Sequence, residues 1–203
     1  MTEDARIANR RIGVAYVGGI ALTTSRADPL AELLAASDAI TGGELDRVCA
    51  GADDGRRRLE IQLVSVSVAD RPCAVLKGRQ TTRDGDEGTG ADSRGLQPAR
   101  AIRRALADAA VKAAEVDAVF ACYVESSNAG ARDRATASIT LAFGRYADGI
   151  AVDLHRAVAD GHMSAALACA RCVRAIASGQ IGVGVVVAIG VGGTNSAVVF
   201  SRA

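Results

Sequence analysis

The stretch "DGHMSAALA" (residues 160–168) carries His162, one of only two histidines in the 203-residue chain. Asp160 is placed to cap a helix that starts here, which would set the imidazole at the positive helix end. That dipole favours neutral imidazole, suited to act as a base or a hydrogen-bond donor. The same residues also suit a histidine that only caps or packs at a helix start. The other histidine, His155, follows Asp153 by two positions. With a serine the pair would make a hydrolase constellation, but no G-x-S-x-G elbow supports it, and Ser126, Ser127 and Ser164 have no distinguishing context.

Two further patterns invite chemistry and fail on context. Cys169 and Cys172 form C-x-x-C inside an alanine-rich segment rather than at its start. A redox pair gains thiolate character from a helix N-terminus, and a structural zinc needs a second ligand pair. Both cysteines read as small core residues, and no metal site is expected. The Gly-rich run "GVGVVVAIGVGGTN" opens no helix, so it reads as a tight turn between two strands rather than a dinucleotide cradle. No cofactor is expected.

These residues must be positioned by the elements around them. "RIGVAYVGGIAL" (11–22) reads as a strand, and "DPLAELLAAS" as a helix with Pro29 at its first position. Residues 41–58 read as a polar, Gly-rich connection. "LEIQLVSVSVA" (59–69) alternates as a strand does, with "PCAVLKG" as its hairpin partner. Residues 79–95 read as a long Gly/Asp/Thr loop. "QPARAIRRALADAAVKA" is a helix with an apolar stripe of Ile102, Leu106, Ala109 and Ala110. "VDAVFACYV" is a buried strand and "RDRATASITLAFG" a helix closed by Gly144. "GIAVDL" is a short strand, followed by a helix closed by Gly179 and two apolar terminal strands. From residue 59 the order is β-β-α-β-α-β-α-β-β, which predicts a layered α/β domain with a mixed sheet covered by helices. Residues 1–58 form an N-terminal strand–helix segment and linker, and residues 59–203 the domain.

Composition sets the outer bounds. Hydrophobic residues make up 49% of the chain, aromatics only 3%, and tryptophan is absent. The core must therefore be built from Ala, Val, Ile and Leu, whose small volumes let helices and strands approach closely. A net charge of +1 leaves no electrostatic footprint for nucleic acid. No apolar run suits a bilayer span, and "MTEDARIANRR" does not look like a signal peptide. Five cysteines without an export signal are expected as reduced thiols in the cytoplasm.

From about residue 96 onward the segments resemble, in order, the C-terminal half of β-ketoacyl synthases of the thiolase superfamily. "PARAIRRALADAAVKAAEVDAVFA" resembles the helix and strand that deliver their first catalytic histidine. "RDRATASITLAFG" is similar to their Asp-started helix ending in Phe-Gly. "DGHMSAALA" resembles the Gly-His-x-x-x-Ala-Ala stretch of the second catalytic histidine, and "IGVGGTNSAVVF" their closing Gly-x-Gly-Gly-x-Asn turn and strand. The match from residue 59 to 95 is weaker and suits the strands and loop that open the same half.

The departures decide what the resemblance implies. The first half of such enzymes carries an acyl-accepting cysteine, and no Ala-Cys-Ser-Ser type elbow occurs here; Cys49 lies in a polar stretch. By position, Cys122 replaces the first histidine. The lysine expected before Gly161 and His162 is missing, with Arg156 the nearest cation. Of the usual four-part catalytic set only His162 is retained. Claisen condensation needs the nucleophile and two basic side chains, so condensation by this chain alone is not expected. The apolar "MSAALACARCVRAIA" needs cover, which points to a homodimer or a heterodimer with a full-length ketosynthase.

The resemblance therefore implies an accessory subunit of a polyketide or fatty-acid pathway. It would act like a chain-length factor, with a full synthase or an acyl carrier protein. The alternative is a repurposed enzyme on acyl-carrier or CoA thioesters, for dehydration, cyclisation, acyl transfer or decarboxylation. There His162, Cys122 and Asn195 would converge as the catalytic set, at strand ends and a helix start.

Overall fold

The computed structural model describes residues 12–17, 47–53, 58–65, 72–84, 94–124, 130–157, 162–189 and 193–203. The strands are β1 (Ile12–Val17), β2 (Arg47–Asp53), β3 (Arg58–Ser65), β4 (Ala74–Arg83), β5 (Ala118–Val124), β6 (Ala151–Ala157), β7 (Val183–Ile189) and β8 (Thr194–Ser201). Among the described residues three α-helices accompany them: α1 (Leu96–Asp108), α2 (Ala131–Phe143) and α3 (His162–Ala177). The order from β3 onward is the β-β-α-β-α-β-α-β-β series read from the sequence. The arrangement is a mixed sheet covered by helices on both faces, as expected.

The described strands form one sheet in the order β2-β3-β1-β4-β8-β7-β5-β6. β5 runs parallel to both β6 and β7, whereas β8 is antiparallel to β7 and to β4. β4, β5, β6 and β7 therefore end at one common edge, where β8 begins. Three local readings are corrected by the pairing. β3 and β4 are not hairpin partners, because β1 inserts between them and bonds to both. Residues 47–53 lie within the stretch taken as a polar connection, yet they form β2 and pair residue for residue with β3. Residues 79–83, taken as loop, continue β4 against β8. In each case long-range pairing satisfies backbone groups that sequence-local reasoning had left to a turn. The helix read over residues 28–37 lies outside the described residues.

Helix α1 also ends earlier than its sequence pattern suggests. Ala110 takes a left-handed φ of 53°, and the Val111 N–H donates to Leu106 O while Ala110 N–H donates to Ala107 O. This is the paired-bond helix stop usually built around glycine, here made by alanine. Helices α2 and α3 close at Gly144 (φ 56°) and Gly179 (φ 80°) as read.

Strand alternation divides the core in two. Ala118, Phe120 and Cys122 of β5 face α3 with Val186, Val198 and Phe200. Val119, Ala121 and Tyr123 face α1 and α2 with Val185, Val187, Ala197 and Val199. Helix α3 contacts every one of the eight described strands. Seven strand spacings would make a flat sheet about 34 Å wide, too wide for both margins to touch one helix running along the strands. The sheet is therefore curled around α3, with β1, β2 and β3 closing over it. The cover that the sequence analysis expects from a partner is supplied within the chain: Cys169, Ala170, Cys172 and Val173 are at most 1% exposed.

Candidate active site

The candidate site lies at the edge where β4, β5, β6 and β7 end. Strand β5 places Cys122 two residues before its end, on the α3 face, at 4% exposure. Across the parallel register Cys122 stands beside His155 of β6 on one side and Ala188 of β7 on the other. Ala188 in turn stands beside Ser196 of β8, and Ser196 beside Thr81 of β4. The Thr81 and Ser196 hydroxyls are 3.0 Å apart and share a hydrogen bond. A single row thus crosses five strands on one sheet face, reading His155, Cys122, Ala188, Ser196 and Thr81. Asp153 confirms which face β6 presents, since its carboxylate accepts a hydrogen bond from Arg171 of α3 at 2.8 Å. His155, two residues on in an unbroken register, shares that face.

Helix α3 begins at His162, so its N-terminus belongs to the same edge. A right-handed crossover from β6 through α3 to β7 returns the helix antiparallel to the strands, which sets its start above their ends. Asp160 and Gly161 lie outside the described residues, as do Ser126, Ser127 and Gly190 to Gly192. Below the helix start, Cys169 and Cys172 pack in the same apolar cluster as Cys122. Burial pushes the Cys169 thiol well above its ordinary range, with the nearby Cys172 and Cys122 thiols adding to the shift. Burial alone raises Cys172 in the same direction. Both stay protonated at neutral pH, as inert core groups do. Among the described residues no cluster of three or more His, Cys, Asp or Glu side chains is arranged to hold a metal.

Asn195 occupies the same edge but the opposite face. Its neighbours in β8, Thr194 and Ser196, look toward α3, while Asn195 looks toward α1 and α2, fully buried. Its amide donates to Asp84 Oδ1 at 2.8 Å and to Gly193 O at 3.1 Å. Asp84 Oδ2 pairs with Arg134 Nη1 of α2 at 3.3 Å, and Asp84 N–H donates to Gly193 O at 2.7 Å. The Asp84 and Arg134 side chains are 5% and 8% exposed, so this is a buried ion pair. The structure thus brings Cys122 to the edge from which α3 starts, and sends Asn195 to a separate polar network on the other face. Asp84 and Arg134 escaped the sequence reading because each sits in a segment rich in charge, where nothing marks a buried partner. His155 was seen, but its adjacency to Cys122 exists only through the β5–β6 register.

No protein-family model and no curated protein sequence matches the chain. Solved structures do. The ishigamide ketosynthase/chain length factor superposes with a TM-score of 0.72 at 17% identity, over 87% of this chain and 59% of that one. A β-ketoacyl synthase from Burkholderia phymatum STM815 gives 0.70 at 12% identity, over 89% and 60%. A type II polyketide ketosynthase bound to a hexaketide, in complex with its acyl-carrier protein, gives 0.63 at 18% identity, over 73% and 44%. The chain has the thiolase-like ketosynthase fold, and spans 44% to 60% of the length of these three structures.

Proposed function

We propose that this chain is a ketosynthase-like accessory subunit of a polyketide or fatty-acid pathway. It works in the cytoplasm with a full-length ketosynthase or an acyl carrier protein, and does not itself condense acyl units. One observation carries this reading. At the position where the resemblance assigns the first catalytic histidine stands Cys122, a buried thiol packed among the protonated thiols of Cys169 and Cys172. Decarboxylative condensation draws on two basic side chains around the reacting carbonyl. A thiol in an apolar cluster does not supply the missing one. The likeness to a ketosynthase/chain length factor and to a ketosynthase in complex with its acyl-carrier protein supports the choice of partners.

The second reading, an enzyme acting on acyl thioesters, is favoured by the common edge of Cys122 and the start of α3 at His162. Asn195 does not strengthen it, because its amide is spent on Asp84 and Gly193 across the sheet. The discriminating experiment incubates the purified chain with acyl-carrier and CoA thioesters and follows them by mass spectrometry. It is paired with co-purification against a full-length ketosynthase. Stable co-purification without turnover supports the accessory role. Turnover that disappears in His162→Ala overturns it in favour of the enzyme.

A further inference from the structure

We infer that the outer edge of β6 is a docking surface for a second copy of this chain, paired antiparallel and centred on Leu154. Such pairing is independent of the accessory role, and it makes no use of the apolar face of α3, which the chain covers itself. β6 (Ala151–Ala157) ends the described sheet, and among the described residues no strand lies beyond it. Val152 is 43% exposed there. Edge strands are commonly blunted by proline, by a bulge or by brevity. β6 has none of these: its seven residues include no proline or glycine, and it pairs with β5 without a register shift.

One hydrogen bond fixes which backbone groups look outward. The Ala151 N–H donates to Asp117 O, so Ala151 spends its backbone groups on the β5 side. Alternation along the strand turns Asp153 and His155 the same way, and directs the N–H and C=O of Val152 and Leu154 to the open side. A two-fold axis normal to the sheet must set some residue opposite itself, because any other antiparallel register would join opposite faces of the two sheets. Centring on Asp153 puts two carboxylates face to face, which is destabilising. Centring on His155 puts two imidazoles together and leaves Asp153 facing Ala157. Centring on Leu154 sets Asp153 of each copy opposite His155 of the other, twice over. Leu154 then exchanges its outward N–H and C=O with its counterpart. Asp153 and His155 fall at the non-hydrogen-bonded positions, where facing Cα atoms approach to about 4.5 Å.

The two faces of this joint sort by chemistry. On the α3 side, Asp153 Oδ2 already accepts from Arg171, and the same carboxylate meets the imidazole of the second copy. On the other side, Leu154 packs beside the core of α1 and α2, meets its counterpart, and gives the exposed Val152 cover.

Sedimentation velocity of the full chain over a micromolar concentration series is the test. The expected result is a reversible species of twice the 20.7 kDa chain mass. Leu154→Pro removes an outward N–H where an edge strand tolerates proline, and should leave a monomer with an unchanged circular-dichroism spectrum. Asp153→Lys and His155→Asp each set like charges opposite one another, and each should weaken self-association at least about tenfold. Mixed one to one, these two variants should associate as the parent does, because every substituted position then faces an opposite charge. The inference is overturned if the parent stays monomeric, if Leu154→Pro dimerises as well as the parent, or if the mixed variants do not recover association. A monomeric parent whose Leu154→Pro variant loses binding to a full-length ketosynthase assigns the edge to that partner, and equally overturns it. Thioester turnover and synthase co-purification are separate readouts, so the accessory role stands or falls on its own.

Discussion

Replacing Asp84 by asparagine keeps the shape of the side chain and removes the charge that faces Arg134. The pair is buried, with both side chains at most 8% exposed, and among the described residues Arg134 Nε has no hydrogen-bond partner. Losing one member of a buried pair leaves an uncompensated charge and costs about 3–5 kcal/mol, well above the roughly 1 kcal/mol ceiling of an exposed pair. In a chain of this size each kcal/mol lowers the melting temperature by about 2–4 °C, so Asp84→Asn should melt about 6–20 °C below the parent. Arg171→Ala provides the internal contrast. Its partner Asp153 is 40% exposed, and the loss should stay below about 1 kcal/mol. Differential scanning calorimetry on both variants, with Arg134→Met and the double variant Asp84→Asn/Arg134→Met, gives the coupling directly. The double variant should recover much of the loss, since no unpaired charge remains. If Asp84→Asn costs no more than Arg171→Ala, the pair is not the buried lock described here and the reasoning fails.

Three other perturbations test separate parts of the fold. Gly78→Ala on β4 would drive a methyl group into the backbone of α1 at Ala105 and Ala109, which cannot yield as a side chain would; a loss of about 1–3 kcal/mol or more is expected by urea denaturation. Val14→Pro on β1, which bonds to both Leu63 of β3 and Ala74 of β4, should break the strands that cover α3 and raise binding of an apolar dye. Cys169 and Cys172 have folded-state pKa values raised by burial, so their stabilising effect is complete below the free-thiol pKa and is lost as pH rises beyond it. Stability should therefore fall above about pH 8.5, by up to about 1.4 kcal/mol per pH unit for each thiol, and less steeply in Cys169→Ala.

The element series from residue 59 onward was legible because each piece carries its own period and punctuation. Strand order was not. Residues 59–69 and 72–78 are sequence neighbours, each with strand character, and a hairpin is the local solution; β1 separates them only through pairing between residues far apart in the chain, such as Ile12 with Ser65 and Leu76. Arg47 to Asp53 looked like a connection because Arg, Gly and Asp are poor strand formers, yet a complete ladder with β3 overrides propensity. The site was legible to a similar depth. His162 was singled out by residue type and context and Cys122 by its position in the resemblance, and their common edge follows from β-α-β handedness. The face was not legible: a single-residue step along β8 separates Ser196, beside Ala188 in the row that holds Cys122, from Asn195, on the far side of the sheet.

The small-residue composition is what allows one helix to be wrapped by its own sheet. Ala165, Ala166, Ala168 and Ala170 keep the surface of α3 low, and strands can then approach it from several directions. Gly184 of β7 shows how closely: a Cβ there would collide with Cys172 Sγ. A leucine-built helix would hold the strands further off, and the sheet margins at β2 and β6 would no longer both reach it. Among the described residues, α3 exposes Arg171, Arg174 and Ala177, spaced three residues apart. An apolar face covered within the chain no longer calls for a second subunit.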